Sequence, residues 1–384
     1  MRSGNLLGWV LLALAPLSAH AASLESIGRL AGDDDSEAVG VSADGSVVVG
    51  NSFDGVVPRA VVWTPGGGLE QLPPPLDRNL FAESISADGT SIVGSIQERD
   101  GTNEVIASEA FRWRAGTGVV GLGDAAGGAS RSAAFACTPN GDLAVGRVSD
   151  AAGAKAGRWD GTTLSLVGPG DLTGGDVDGA AFDVSDDGAV IVGDSDATAG
   201  YTGFRWTQGG GMVPLGDLPG GIVETFVDGV SPDGSVIVGW SDGTDGVEAV
   251  RWVGGGAPQG LGDLPGGEFE SYAFDVSSGG AAIVGESHTG STESDYEAFL
   301  WDATNGMRRL SDVLAGLGVD TTGWTLERIF AISPDGQWVV GTGTTPEGDI
   351  EGFRAFLPEP AGAATSLAAL LALGGLAARR RAAR

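Results

Sequence analysis

The chain has one cysteine, Cys137, in 384 residues, which excludes an internal disulfide framework and leaves the fold to its own core. Its setting, Ala133-Ala134-Phe135-Ala136-Cys137, suits a small packed residue better than a reactive thiol. Histidine is almost as scarce. His20 and His288 are the two, so a histidine-rich metal site is excluded and one candidate is left for acid–base work. His288 lies in a polar stretch, residues 286–294, that reads as a solvent-exposed loop. Basic residues number 21 against 51 acidic ones, a net charge of −30. Such a surface repels nucleic acid and anionic lipid. Glycine-rich stretches at 66–68 and 254–256 lack a following Lys-Ser/Thr, so they are turns rather than phosphate cradles. No cofactor is expected.

The two ends of the chain are apolar. Arg2, an apolar run over 6–17 and Ser18-Ala19-His20-Ala21 make a secretory signal peptide over residues 1–21. Ala19 and Ala21 are the small residues that signal peptidase reads, with cleavage after Ala21. At the other end Leu357-Pro358-Glu359-Pro360 precedes an apolar stretch, 361–378, and then Arg379, Arg380, Arg381 and Arg384. Eighteen residues at about 1.5 Å each make roughly 27 Å of helix, enough to cross a bilayer. The arginines would hold its end in the cytoplasm. Pro358-Glu359-Pro360, one hydrophobic helix and a terminal arginine cluster together resemble the PEP-CTERM sorting signal. That resemblance implies transient membrane insertion and removal of the tail, residues 358–384, by an exosortase-type enzyme. Without Arg2 and the four arginines beyond Pro360 the charge becomes −35.

Between the two ends the sequence repeats. A β-branched run ends in glycine at Gly50, Gly94, Gly146, Gly193, Gly239, Gly285 and Gly341, with gaps of 44, 52, 47, 46, 46 and 56 residues. The insertions that vary the gaps are expected in loops. One copy shows the parts: Ala181-Phe182-Asp183-Val184-Ser185, an Asp-Gly turn, Ala189 to Gly193, Gly203-Phe204-Arg205-Trp206, and Met212 to Leu218. Asp-Gly between two strand-like runs predicts a hairpin, because glycine accepts positive φ. Pro214 marks the fourth piece as an edge strand.

Four short strands every 40-odd residues predict an all-β fold, a seven-bladed β-propeller over residues 22–357. The seventh repeat stops at Arg354-Ala355-Phe356-Leu357, one strand short. Residues 23–30 read like the missing strand and are expected to pair around Arg354 to Leu357, closing the ring.

The third strand carries Glu109-Ala110-Phe111-Arg112-Trp113, Glu248-Ala249-Val250-Arg251-Trp252 and Glu297-Ala298-Phe299-Leu300-Trp301. Alternation sets Phe and Trp on one face and Ala and Arg on the other, packing between neighbouring repeats. With the Leu-Gly-Asp-Leu-Pro-Gly-Gly segments at 215–221 and 261–267, these strands resemble the HAF family of extracellular repeats. The His of that family's triplet is replaced here by Glu109, Glu248, Glu297 or Arg354, which leaves a structural role intact. The resemblance implies no activity.

Acidic segments are the remaining candidates. Asp194 and Asp196, Asp242 and Asp245, Asp33 to Asp35, and Asp176 and Asp178 are expected in loops on one face, where oxygen-rich loops can hold Ca²⁺. None has EF-hand spacing. The sequence therefore reads as an exported, non-catalytic platform of the bacterial envelope or extracellular matrix, with extracellular polysaccharide or matrix components as partners. The alternative is a propeller lyase or hydrolase. An enzyme would need polar residues that break the repeat at the central channel, and the sequence offers no obvious set.

Overall fold

The computed structural model describes residues 21–358, apart from 76, 77, 128, 129, 199, 293 and 294. The leader with Ala19 lies outside the described residues, as do Glu359, Pro360, the apolar stretch 361–378, Arg379, Arg380 and Arg381. Among the described residues no helix is long and apolar enough to cross a membrane. Ala22–Leu357 is one compact unit.

The fold is all-β. The described strands form five four-stranded sheets and one eight-stranded sheet. The larger sheet is two four-stranded units joined by a single parallel bridge, Ala154 to Asp178. Within each unit the strands run antiparallel, in chain order except in the last, where the N-terminal strand takes the outer place. The fourth repeat is typical, with Gly174–Val184, Val190–Ala197, Gly200–Thr207 and Gly211–Pro214. Pro214 stands opposite Phe204 in the outermost strand, where a missing N–H costs no ladder bond.

The Asp-Gly turn works as its residues require. Ser185 Oγ donates to Asp187 Oδ1 at 2.8 Å, and the same oxygen accepts from Ala189 N at 2.9 Å. Gly188 has φ +69°. In the sixth repeat the aspartate is missing, and Ser278–Gly280 turns as a short 3₁₀ segment instead.

The marker glycines have a steric cause. Each lies against the carbonyl of a residue in the preceding strand, so a Cβ on Gly50 would lie 1.9 Å from Glu37 O, and one on Gly193 2.0 Å from Ala180 O. That approach coincides with a register shift at the same place in every first strand, as between Ala38 and Gly40 or Ala181 and Asp183. A bulge draws the two strands together, and only glycine fits opposite it.

The N-terminal strand pairs as expected but is shorter. Ser23–Ser26 lies antiparallel to Ile350–Phe356, with Ser23 opposite Phe356 and Ser26 opposite Phe353. Residues 28–30 then leave the sheet: Gly28 O accepts from Ser36 Oγ, and Leu30 N donates to Ser52 Oγ at 3.0 Å. Ile27, Ala38, Val41, Trp63 and Val340 share one apolar cluster, so the first and last repeats are packed together. The long gap before Gly341 is not filled by loop alone. It holds a helix, Leu310–Gly316, whose Leu310 and Leu314 are buried.

Third-strand packing follows the alternation. Arg158 lies over Trp206, Arg251 over Trp301 and Arg354 over Trp63, each reaching into the next repeat around the chain. The register also corrects the triplet of the seventh repeat. Phe353 faces Gly341 as Phe111 faces Gly94, so Glu351-Gly352-Phe353 is its equivalent, and Arg354 corresponds to Arg112. Glutamates at the triplet's first position bind their own fourth strand or its neighbours. Glu248 accepts from Gly262 N at 2.8 Å and Glu351 from Arg29 at 3.1 Å.

Arg354 is 6% exposed. Its guanidinium lies between the rings of Trp63 and Trp338, 4.5 and 4.4 Å from their centroids, and donates to Gly45 O at 2.5 Å. A lysine keeps the charge but neither stacks flat nor forks. Arg354→Lys is expected to cost about 2 kcal/mol, read as a lower denaturation midpoint with an unchanged slope. A midpoint equal to the parent's would show that the sandwich contributes nothing.

Candidate functional site

The first strands of all the repeats line one cavity of about 120 Å³, through Val41, Ile85, Cys137, Val184, Val230, Val276 and Ile332. Burial pushes the Cys137 thiol up to about 12, so it stays neutral and packs as an apolar group. Beside this cavity the bulges place Val39, Glu83, Phe135, Phe182, Asp228, Phe274 and Phe330, the residues skipped in each register. Phe135 stacks on Phe182 at 5.2 Å and Phe274 on Phe330 at 6.0 Å. The other two bulges that break the apolar pattern carry acids. Burial and the nearby Glu37 push Glu83 up to about 8, and burial with Glu286 pushes Asp228 up to about 7.

Two more carboxyls stand in the cavity wall. Asp183 accepts from Val184 N and, across to the next first strand, from Val230 N at 2.8 Å. Asp275 does the same with Val276 N and Ile332 N. Burial pushes them to about 8 and about 7 despite those bonds. Both oxygens of each are in use, one within its own strand and one holding the neighbouring first strand. A carboxyl in this range stays protonated near neutrality and can act as an acid, but Asp183 and Asp275 are already in structural use.

The acidic candidates read from sequence are not brought together. Asp194, Asp196 and Asp242 lie within second strands rather than loops, because those strands continue past the marker glycine. Asp194 is 5% exposed and accepts from Val227 N of the next repeat at 2.8 Å. Asp196 and Asp242 accept from Asp176 N and Ile222 N. Asp245 lies exposed in the turn between strands. Asp33 is buried against Arg59, Asp34 accepts from Gly55 N, and Asp178 pairs with Arg147 at 2.7 Å. Among the described residues no three His, Cys, Asp or Glu side chains gather as metal ligands would.

His288 is also placed differently from its sequence reading. It ends the strand Ile283–His288 and is 4% exposed, not in solvent. Nδ1 accepts from Glu268 N at 3.1 Å, which leaves Nε2 to donate to Thr292 O at 2.7 Å. Tyr296 meets its ring edge-on, and Glu270 accepts from the hydroxyls of Tyr296 and Tyr272. This cluster continues into a column that the repeat pattern did not announce. Trp240 stacks on Phe226 at 4.2 Å, Phe226 on Tyr201 at 5.4 Å, and Tyr272 closes the Trp240 end edge-on. The ring faces in this column cover one another. Three tyrosines and a second-strand tryptophan, all within the fourth to sixth repeats, were the signal available in the sequence.

No protein-family model matches the chain, and no curated protein matches it in sequence. Solved structures do match. One is an oligogalacturonate lyase in complex with manganese, at 12% identity and TM-score 0.52 over 88% of this chain and 97% of that one. Another is the β-propeller domain of the Trilobed protease from Pyrococcus furiosus, described as having an open velcro topology. It matches at 11% identity and TM-score 0.52 over 88% of this chain and 94% of that one. TolB from Acinetobacter baumannii matches at 16% identity and TM-score 0.42, and this chain spans 56% of it. The likeness to the first two is one of fold: the chain has a β-propeller fold.

Proposed function

We propose that the chain is an exported, non-catalytic binding platform of the cell envelope or matrix, a seven-bladed propeller closed by its N-terminal strand. The ring reading is supported by the cavity shared by all seven first strands and by Ser23–Ser26 in the last repeat's sheet. The observation that carries the non-catalytic reading is how four buried polar side chains are used, two in the cavity wall and two in the second strands behind it. Asp183, Asp275, Asp194 and Asn51 each bond backbone of the neighbouring repeat, which fastens blades and leaves less for chemistry. Delivery rests on the leader and on the tail at Pro358-Glu359-Pro360. Signal peptidase and an exosortase-type enzyme are the processing partners.

The rival is a lyase or hydrolase on the same fold, acting on polysaccharide or peptide. Mass spectrometry of the released protein is expected to find an N-terminal peptide starting at Ala22 and none beyond about Pro360. Incubation of that protein with polysaccharides and peptides is expected to yield no new ends. Intact tails would overturn the sorting part, and turnover would overturn the non-catalytic part.

A further inference from the structure

A cavity of about 950 Å³ opens between the third and fourth repeats, lined by their hairpin turns and third strands. That is the size of a small-molecule site. Arg158 and Arg205 both border it, with Trp206, Gln208, Asn140 and Asp160. In other repeats the arginine at this rung of the third strand has hydrogen-bond acceptors. Arg112 donates to Gly161 O and Asp142 O at 2.9 and 3.0 Å, Arg354 to Gly45 O, and Arg251 to Gln259 at 3.1 Å. Arg158 and Arg205 are different. Among the described residues Arg158 touches Trp206 as a cation over a ring, and neither guanidinium has a hydrogen bond or ion pair. Arg205 Nε is closed off from solvent with no acceptor, as are Arg112 Nε and Arg354 Nε, so the difference lies in the terminal nitrogens. In a chain with 51 acidic and 21 basic residues, two unpaired arginines at one groove are not explained by a shortage of carboxylates.

We infer that this groove binds a sugar acid, a short oligosaccharide carrying a uronic-acid carboxylate. A guanidinium presents a planar fork that fits a carboxylate bidentately, and at this groove the terminal nitrogens of Arg158 and Arg205 have no acceptor. Asp160, Asn140 and Gln208 supply acceptors and donors for ring hydroxyls. Four acids border the groove as well: Asp142 is paired with Arg114 at 2.8 Å, Asp187 closes its turn through Ser185 and Ala189, burial raises the Asp186 carboxyl above its ordinary range, and Asp160 is left to face the ligand. The net charge of −30 selects against long polyanions and favours a short ligand with few carboxylates.

The inference rests on the binding-platform reading and names its ligand class. Calorimetry on the mature protein would compare a glucuronate-containing tetrasaccharide, its neutral glucose counterpart and inorganic sulfate. The acidic sugar is expected to bind, with the neutral one at least tenfold weaker and sulfate alone weaker still. Arg158→Gln and Arg205→Gln are each expected to weaken the acidic sugar about tenfold or more, while Arg251→Gln, outside the groove, leaves it unchanged. Equal binding of the neutral sugar, sulfate binding as tight as the sugar acid, or no binding of the acid at millimolar concentration overturns the assignment. None of those needs a variant to fold. Analysis of the titrated sugar for cleavage products separates failure of this inference from failure of the non-catalytic reading.

Discussion

Deletion of residues 23–30 is expected to lower the melting temperature by about ten degrees and to make the protein aggregate. The segment contributes four ladder pairs to the last sheet, from Ser23 opposite Phe356 to Ser26 opposite Phe353. It also contributes Ile27, 4% exposed, and Arg29, which pairs with Asp349 and Glu351 at 3.0 and 3.1 Å. Losing one buried isoleucine costs about 1.5–3 kcal/mol. The ladder bonds add roughly 1 kcal/mol each at most. About 5 kcal/mol is a large share of the about 5–15 kcal/mol that holds a domain together. In a domain this large each kcal/mol moves the midpoint by about 2 °C. The strand Ile350–Phe356 would become a bare edge with Phe353 and Phe356 behind it, which is a template for another chain. A truncated protein that melts with the parent and stays monodisperse would show that the last repeat does not need the N-terminal strand.

The expectation about that segment came from counting strands, and counting served well throughout the repeats. The turn aspartates and glycines, the edge proline at Pro214 and the third-strand aromatics all read directly, because each has a local cause in φ, a missing N–H or a two-residue period. What did not read were the ends of the second strands. The apolar pattern stops at the marker glycine, yet Val190–Ala197 runs four residues past Gly193, and Ile283–His288 three past Gly285. Polar residues there look like loop until the next repeat supplies their partners, as Val227 N does for Asp194. That is why His288 and the aspartate candidates were assigned to solvent. The bulges were hidden for a related reason. A single skipped residue breaks alternation without any composition signal, and Val39, Glu83, Phe135 and Asp228 share a position but no chemistry.

The buried acids, two of them at bulges, make stability depend on pH in an unusual direction. Glu83 and Asp183 are pushed up to about 8, and Asp228, Asp275 and Glu286 to about 7, in every case chiefly by burial. An unfolded carboxyl titrates at about 4. Between about pH 4 and pH 7–8 the folded state therefore holds protons that the unfolded chain has lost. Stability contributed by these groups is fully present below about pH 4 and is lost as pH rises through 7–8. Each such group costs about 1.4 kcal/mol per pH unit inside its window, less where channel water screens it. The expected result is a melting temperature lower by roughly ten degrees at pH 8 than at pH 5.

Mutual repulsion among 51 acidic residues acts in the same direction, so the two causes must be separated. Glu83 makes no hydrogen bond among the described residues, and Asp228 Oδ2 is buried without a partner. Glu83→Gln and Asp228→Asn therefore remove a titrating group without removing an acceptor in use. Each variant is expected to lie close to the parent at pH 5, where the folded carboxyl is protonated and the unfolded one is only just past its own titration, and to melt several degrees higher at pH 8. Asp245→Asn makes the same change in net charge at an exposed turn and is expected to move the midpoint by less than a degree or two at either pH. Thermal melts at pH 5 and pH 8 decide the matter. If the parent melts higher at pH 8, or if Glu83→Gln gains no more there than Asp245→Asn, the buried acids do not control the pH response.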